Sequence, residues 1–449
     1  MGKPLHVVVI GAGTGGMTLA HGLMQAGMSV AVYERDRTRT GGLHGYRVGI
    51  NADGSRALAA CLPPRLFETF VATCAKPLER VSFMTEGLKQ LLTLDIPQNP
   101  DPTSSEKSVS RMTLRQVLFS GAEEIIHFDK VFTHYEQHPD GKVTAFFKDG
   151  SSATGDLLVG ADGTRSRVRS QRLPHAKIRD AGAVAVGGKA PLTDEVRAIL
   201  PSVMTEGSSF IFAPRGLFSV MHTMEFPWDA EGAPKTGVGS TEADLIRAWP
   251  GLLYDNTRDY FMWGVAWKAD RVPARLLEMR GGELLPLVKE LTPGWSPRVH
   301  RIHDLSDPES TFSINISTSE PIPPWKASNV TLLGDAIHTM TPGRGAGANT
   351  ALRDANLLRK RLIDVRNGKL SLLEAVHRYE AKMVEYGFKA VAESLKDQGG
   401  DSPMYKPVIG SMMLAGMRTM LRVTSLFPPM KRRMAESLLR ERGAEREED

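Results

Sequence analysis

Cysteine is nearly missing from this chain: its 449 residues include two, Cys61 and Cys74. Two thiols cannot build a disulfide framework, and their spacing fits no metal site. They read as core filling in a reducing compartment, with a cytoplasmic location expected. Aromatic residues are few, at 7%. No apolar run is long enough to span a bilayer, and Leu5–Ile10 is too short for the hydrophobic stretch of a signal peptide. Met1-Gly2 lacks the Ser or Thr at position 6 that myristoylation needs, since His6 stands there. The net charge of +5 comes without a basic block, so no nucleic-acid partner is expected. What remains is an ordinary globular composition, 41% hydrophobic and 24% charged, on a chain long enough for two or three domains.

Glycine, by contrast, is abundant at 43 residues, and three segments concentrate it: Gly11–Gly16, Gly160–Gly163 and Gly334–Gly347. The first follows the β-branched run His6–Ile10 and precedes Met17, Leu19, Ala20, Leu23 and Met24 at helical spacing. A second strand, Ser29–Tyr33, ends in Glu34. In this pattern Gly11 permits a tight turn, Gly13 lets a pyrophosphate approach the backbone, and Gly16 lets the helix pack close to the strand. The helix N-terminus offers free N–H groups and a positive dipole end. Glu34 is placed to accept hydrogen bonds from a ribose. Arg35 is placed either to meet an adenine or to stand in solvent. Strand, turn, helix, strand and acid in this order specify a dinucleotide site, for FAD or NAD.

The later segments narrow the choice. Leu157–Val159 leads into Gly160-Ala161-Asp162-Gly163, with arginines and Ser166 opening a helix. Val330–Leu333 leads into Gly334-Asp335, then Pro342, Gly343, Gly345, Gly347 and Asn349, then a helix over Ala351–Leu362. With these three fingerprints the chain resembles the single-component FAD-dependent aromatic hydroxylases of the para-hydroxybenzoate hydroxylase fold, the group A flavoprotein monooxygenases. The match covers most of residues 5–395.

The resemblance implies an α/β fold: a Rossmann-like FAD-binding domain with an inserted mixed β-sheet substrate domain and C-terminal helices. The expected bounds are 1–75, 101–175 and 300–395 for the FAD-binding domain, 76–100 and 176–299 for the substrate domain, and 396–449 for the helical region. It implies that Asp335 binds the ribityl hydroxyls of FAD, a role that suits a carboxylate as multiple acceptor. It implies that Pro342, Gly345, Gly347 and Asn349 pass the pyrimidine edge of the flavin, where a helix N-terminus favours negative charge. Asp162 falls in a motif used for the pyrophosphate region and NADPH, or serves only a turn. Arg111, ahead of Arg115, is similar to the family arginine near the pyrophosphate. Arg47 lies in the loop that reaches the flavin, where some members carry an arginine touching both FAD and NADPH.

The implied reaction uses NADPH or NADH to reduce FAD and O2 to form a flavin C4a-hydroperoxide, which passes one oxygen atom to the substrate. The cofactor supplies the chemistry. No catalytic side chain is nominated; Arg47 and His222 are the pocket candidates, and no metal is expected. A reductase or dehydrogenase of the same fold and a non-catalytic accessory flavoprotein are the alternatives.

The substrate segment carries short strand-like runs at Ala183–Val186, Ser209–Phe212, Leu217–Glu225 and Tyr260–Trp267. Its Phe, Trp and Met content suits an apolar pocket for an aromatic, polyketide or terpenoid small molecule. His222 is either a general base or structural. Near the end, Met404–Phe427 is rich in Met and Leu, and Lys431-Arg432-Arg433 opens a basic segment. This region reads as a helix docked across the domains, or as an interfacial helix making peripheral membrane contact. Oligomeric state stays open.

Overall fold

The structure, a computed structural model, describes residues 5–41, 46–441 and 443. The Met1-Gly2 motif, His44-Gly45 ahead of Arg47, and the charged tail after Gly443 lie outside the described residues.

The chain opens with a parallel sheet of five strands in the order β17 (Val330–Leu332), β11 (Leu157–Gly160), β1 (His6–Ile10), β2 (Ser29–Tyr33) and β7 (Ile126–His127). Val7, Val8 and Val9 are fully buried because the first helix covers one face of this sheet, where Val9 meets Gly16, and strand Ser152–Gly155 covers the other, where Val8 meets Gly155. The first helix, Thr14–Gln25, returns over one face, and the long helix Gly347–Arg366 packs against it. All three glycine segments therefore sit at the C-terminal ends of adjacent strands, β1, β11 and β17. That end of an open α/β sheet is where ligands bind.

A second, mixed sheet of seven strands has the order β16 (Phe312–Ser319), β12 (Ile178–Pro191), β15 (Tyr260–Lys268), β14 (Phe218–Met224), β13 (Gly207–Phe212), β4 (Arg80–Met84) and β5 (Gln90–Asp95). Three of the strand-like runs read from the sequence fall inside it, and the fourth, Leu217–Glu225, exceeds β14 by one residue at each end. Its last edge strand, β16, comes from residues beyond 299. Two small sheets complete the set: β10 (Ser152–Gly155), β9 (Val143–Phe147) and β8 (Phe132–Gln137), then β3 (Arg47–Ile50) with β6 (Lys107–Ser110).

Three further helices follow. Leu372–Gln398 crosses the helix Gly347–Arg366, and Pro407–Leu426 and Pro428–Glu441 pack onto β5. No helix among the described residues is long and apolar enough to cross a membrane. Cys61 is buried and Cys74 half-buried, and burial pushes both thiols up to about 12, so neither is a nucleophile at neutral pH.

Candidate functional site

A cavity of about 520 Å³ lies between the glycine turns and the mixed sheet. Its nucleotide end is shaped by positions only glycine fills easily. Gly11 has φ +107°, and a Cβ there would meet the Ala161 carbonyl at 2.4 Å. A Cβ on Gly16 would meet the Gly11 carbonyl at 2.3 Å, so helix and strand touch through it. Gly13 differs: an added Cβ would find nothing within 4 Å. Gly13 caps the first helix without a side-chain hydrogen bond, and that first turn holds no acid. Its free N–H groups face the cavity, an arrangement suited to an anion.

The helix Gly347–Arg366 repeats this. It has no side-chain cap and no acid in its first turn, and Gly345 and Gly347 line the cavity ahead of it. Gly345 is left-handed at φ +60°. Pro342 starts the preceding short turn and lines the cavity too.

Asp335 stands on the same wall, open to the cavity, and no hydrogen bond to its carboxylate is seen among the described residues. Protein crowding around it pushes its carboxyl above the usual range, against the pull of His338 and Arg111. An acceptor left unpartnered beside a cavity calls for donors from a ligand, and a polyol chain supplies them. Arg111 donates to the Tyr46 hydroxyl at 2.5 Å and lies 5.4 Å from that ring's centroid. Arg47 lines the cavity and donates to Ser108 Oγ at 3.0 Å. Two uncapped helix ends, two cationic walls and an unpartnered carboxylate fit FAD: pyrophosphate, ribityl chain and flavin edge each have a complement. Among the described residues no cluster of His, Cys, Asp or Glu is placed to hold a metal.

Other expected residues sit one step back. Glu34 is buried at the end of β2, where its carboxylate accepts from the N–H groups of Ala12 at 2.8 Å and Asp36 at 3.0 Å. Arg35 is exposed, with no side-chain partner among the described residues. Arg115 pairs with Asp36 at 2.9 Å and is absent from the cavity wall. Asp162 turns to the helix Arg167–Arg172 and accepts from the Arg167 N–H at 2.8 Å, so its visible role is that of the turn. Its Oδ1 is buried without a partner, and burial raises its carboxyl.

Asn349 sits behind the loop that carries Gly345 and Gly347. It is buried and off the cavity wall. Its amide donates to the Gly49 and Gly345 carbonyls at 2.8 and 2.9 Å and accepts from the Asn51 N–H at 2.9 Å. With these three bonds made, the side chain clamps the loop ahead of the helix to β3.

His222 is also displaced from the wall. It is buried, with Nδ1 2.7 Å from Ser208 Oγ, and Ser208 is the residue that lines the cavity. Burial, then the charge of Arg47, holds its pKa well below 6.5. It stands as a partner behind Ser208, with burial favouring its neutral form.

Cross-strand register nevertheless sets His222 on the same face as residues that line the cavity. Lys189, Met262, His222, Ser208 and Val81 lie directly opposite one another across β12, β15, β14, β13 and β4. Opposite residues share a face, and this face lines the cavity. The neighbouring row holds Gly187 opposite Gly264, which leaves a floor without side chains between Val220 and Phe312. Lys189 points from this sheet with its Nζ 4.8 Å from the Tyr260 ring centroid, and burial lowers its pKa. No carboxylate among the described residues lies within ion-pair distance of it. Lys189, Ser208 and the glycine floor were absent from the sequence reading.

The comparisons agree with this geometry. The FAD binding domain family matches residues 4–270 and 297–392. The chain is similar to the dual O-methyltransferase/FAD-dependent monooxygenase CTB3 of Cercospora beticola, 29% identical over 392 residues, covering 84% of this chain and 44% of that protein. It thus spans less than half the length of that relative. Among solved structures, a chain assigned as an FAD-containing monooxygenase from Photorhabdus luminescens superposes with a TM-score of 0.76 at 32% identity, covering 88% of this chain and 97% of that one. HpxO of Klebsiella pneumoniae, solved with FAD and uric acid, superposes with a TM-score of 0.73 at 23% identity over 98% of this chain and 97% of that one, and so shares the fold. On the match to most of its length, this chain belongs to the FAD binding domain family, whose relatives found here include FAD-dependent monooxygenases.

Proposed function

We propose that the chain is an FAD-dependent monooxygenase that uses NADPH or NADH and O2 to insert one oxygen atom into a flat, apolar small molecule bearing an acidic hydroxyl. The observation that carries this is one cavity with two kinds of wall: unsatisfied helix ends with Asp335 on one side, and a glycine floor beside Lys189 on the other. When bound, FAD supplies the electron transfer and the oxygen activation. The protein supplies position and charge. N–H groups above Gly13 hold the pyrophosphate, and Asp335 accepts from the ribityl hydroxyls. The helix end at Gly347 favours negative charge at the flavin edge.

On the substrate side, Gly187 and Gly264 admit a planar ring against the sheet. The Lys189 ammonium meets an ionised hydroxyl and holds it in one orientation. Ser208, backed by neutral His222, offers a hydroxyl that donates or accepts without a charge. Apolar surroundings strengthen both interactions.

The test is substrate-stimulated NAD(P)H oxidation with isotopically labelled O2 across polyketide, naphthol and terpenoid phenols. One labelled atom in the product is the expected result; stimulated oxidation without label in any product would sink the proposal in favour of a reductase. Asp335→Ala is expected to weaken FAD binding about 10- to 100-fold in equilibrium titration, the loss of hydrogen bonds to a charged acceptor. Lys189→Met is expected to lower kcat/KM for the phenol by about 10- to 100-fold. Its methyl ether should bind equally to both forms. Equal losses for phenol and ether would remove Lys189 from the site.

A further inference from the structure

The exposed apolar surface of this chain is concentrated in one place. Apart from Leu253, Tyr254, Leu277, Ile314 and Leu373, every exposed large hydrophobic side chain among the described residues lies between Val408 and Met430. Leu426 is 74% exposed, Val408 71% and Met412 70%. On the helix Pro407–Leu426, residues Val408, Ile409, Met412, Met413, Met420 and Val423 recur at helical spacing on one face. Gly410, Leu414, Leu421 and Thr424 occupy the opposite face and are buried against the protein. The helix is held by that inner face and by Arg418, which pairs with Glu86 and donates to the Phe212 carbonyl at 2.6 Å. An apolar patch of this extent, outward on a well-anchored helix, marks an interaction surface.

Its charge pattern says with what. From Ser402 to Ala435 the sequence has no Asp or Glu. The same stretch carries exposed Lys406, Arg422, Arg432 and Arg433, with Lys431 half-buried. Such a cationic, apolar face would meet its own charges across a twofold axis in a dimer, because an isologous contact sets one patch against its copy. An anionic bilayer surface satisfies both features: acyl chains take the methionines and leucines, and headgroups take the arginines. The following helix reaches the cavity, where Leu438 lines the wall beside Leu78, Val81 and Phe210. The same module thus faces outward with an apolar surface and inward onto the substrate space.

We propose that the outer face of the helix Pro407–Leu426, with Phe427, Met430 and the flanking cations, docks the enzyme on the surface of an anionic lipid bilayer. The test uses the full-length FAD-loaded protein in co-sedimentation with phosphatidylcholine vesicles and with mixed phosphatidylcholine–phosphatidylglycerol vesicles. Binding is expected to the mixed vesicles, weakening with salt. The double variant Met412→Glu/Leu426→Glu should bind about tenfold more weakly or worse, with flavin absorbance and Tm unchanged. Should that variant misfold, Arg422→Gln and Arg432→Gln, both at exposed polar positions, should each weaken binding about fivefold. Three results overturn the proposal: no binding to the mixed vesicles, binding indifferent to these substitutions, or light scattering that shows a dimer dissociated by the double variant. The last would assign the face to a second copy of the chain.

Discussion

Asp354→Ala is expected to lower the unfolding free energy by about 3–5 kcal/mol and to release most of the bound FAD. Asp354 is fully buried and is the hub of a network that the glycine motif alone does not reveal. Its Oδ2 accepts from the Gly334 N–H at 2.7 Å and lies 2.6 Å from His338 Nε2, while Oδ1 accepts from the Tyr386 hydroxyl at 2.6 Å. Gly334 is held at φ +62° just before Asp335, so this carboxylate fixes the turn that presents Asp335 to the cavity. Burial alone would lower the pKa of His338; the charge and hydrogen bond of Asp354, with Asp335 assisting, outweigh it and leave His338 above 6.5. Removing Asp354 strands a buried imidazole, a hydroxyl and a backbone N–H together. Denaturant unfolding measures the loss, and a change below about 1 kcal/mol would mean that the turn is held by something else.

The sign of the pH dependence follows. A histidine whose folded pKa is raised contributes stability that is complete below the unfolded value of 6.5 and is lost as pH rises through the higher folded value. Asp354→Asn keeps one acceptor oxygen, for the Gly334 N–H, sets an NH2 where the second oxygen faced the Tyr386 hydroxyl, and removes the charge. The stability gap between the wild type and Asp354→Asn is therefore expected to be wider near pH 6 than near pH 9. A gap that stays constant across this range would show that His338 carries no linked proton.

The nucleotide half of the site was legible because its signals are local. Gly11, Gly334 and Gly345 mark left-handed backbone, and each such demand is written within a few residues of sequence. The substrate half is assembled by register. Lys189, Ser208 and His222 come from three strands and share a row only because β12, β15, β14 and β13 align as they do. The runs themselves mark the strands, but nothing in one sequence fixes how four strands line up. Asp354 was invisible for another reason. It sits within Leu352-Arg353-Asp354-Ala355, where helical spacing permits either a solvated acid or a buried one, and only packing from the helix Leu372–Gln398 decides. The direction of the Asn349 amide was equally invisible: its neighbours line the cavity while its amide faces β3.

Gly264→Val is expected to reduce kcat/KM for a planar substrate by about 100-fold while leaving FAD content intact. A Cβ at Gly264 would meet Val220 Cγ1 at 3.6 Å and the Val186 carbonyl at 4.0 Å, ordinary contacts that the sheet accepts. Its φ is not left-handed, and a β-branched residue suits a strand interior, so stability should hold or rise by about 0.5–1 kcal/mol. The added methyls can grow only into the cavity, over the floor that Gly187 and Gly264 keep flat. Gly188→Val supplies the contrast. Gly188 pairs with Trp263, and its Cβ would meet Trp263 Cζ2 at 2.8 Å and Thr311 Oγ1 at 2.9 Å, in close packing. That variant should lose about 1–3 kcal/mol of stability by overpacking. Two glycines in adjacent strands, on opposite faces of one sheet, thus give opposite outcomes: one protein stable with impaired turnover, the other strained. If Gly264→Val sheds FAD instead, the floor carries the flavin and not the substrate. If it keeps a wild-type KM, the ring lies elsewhere in the cavity.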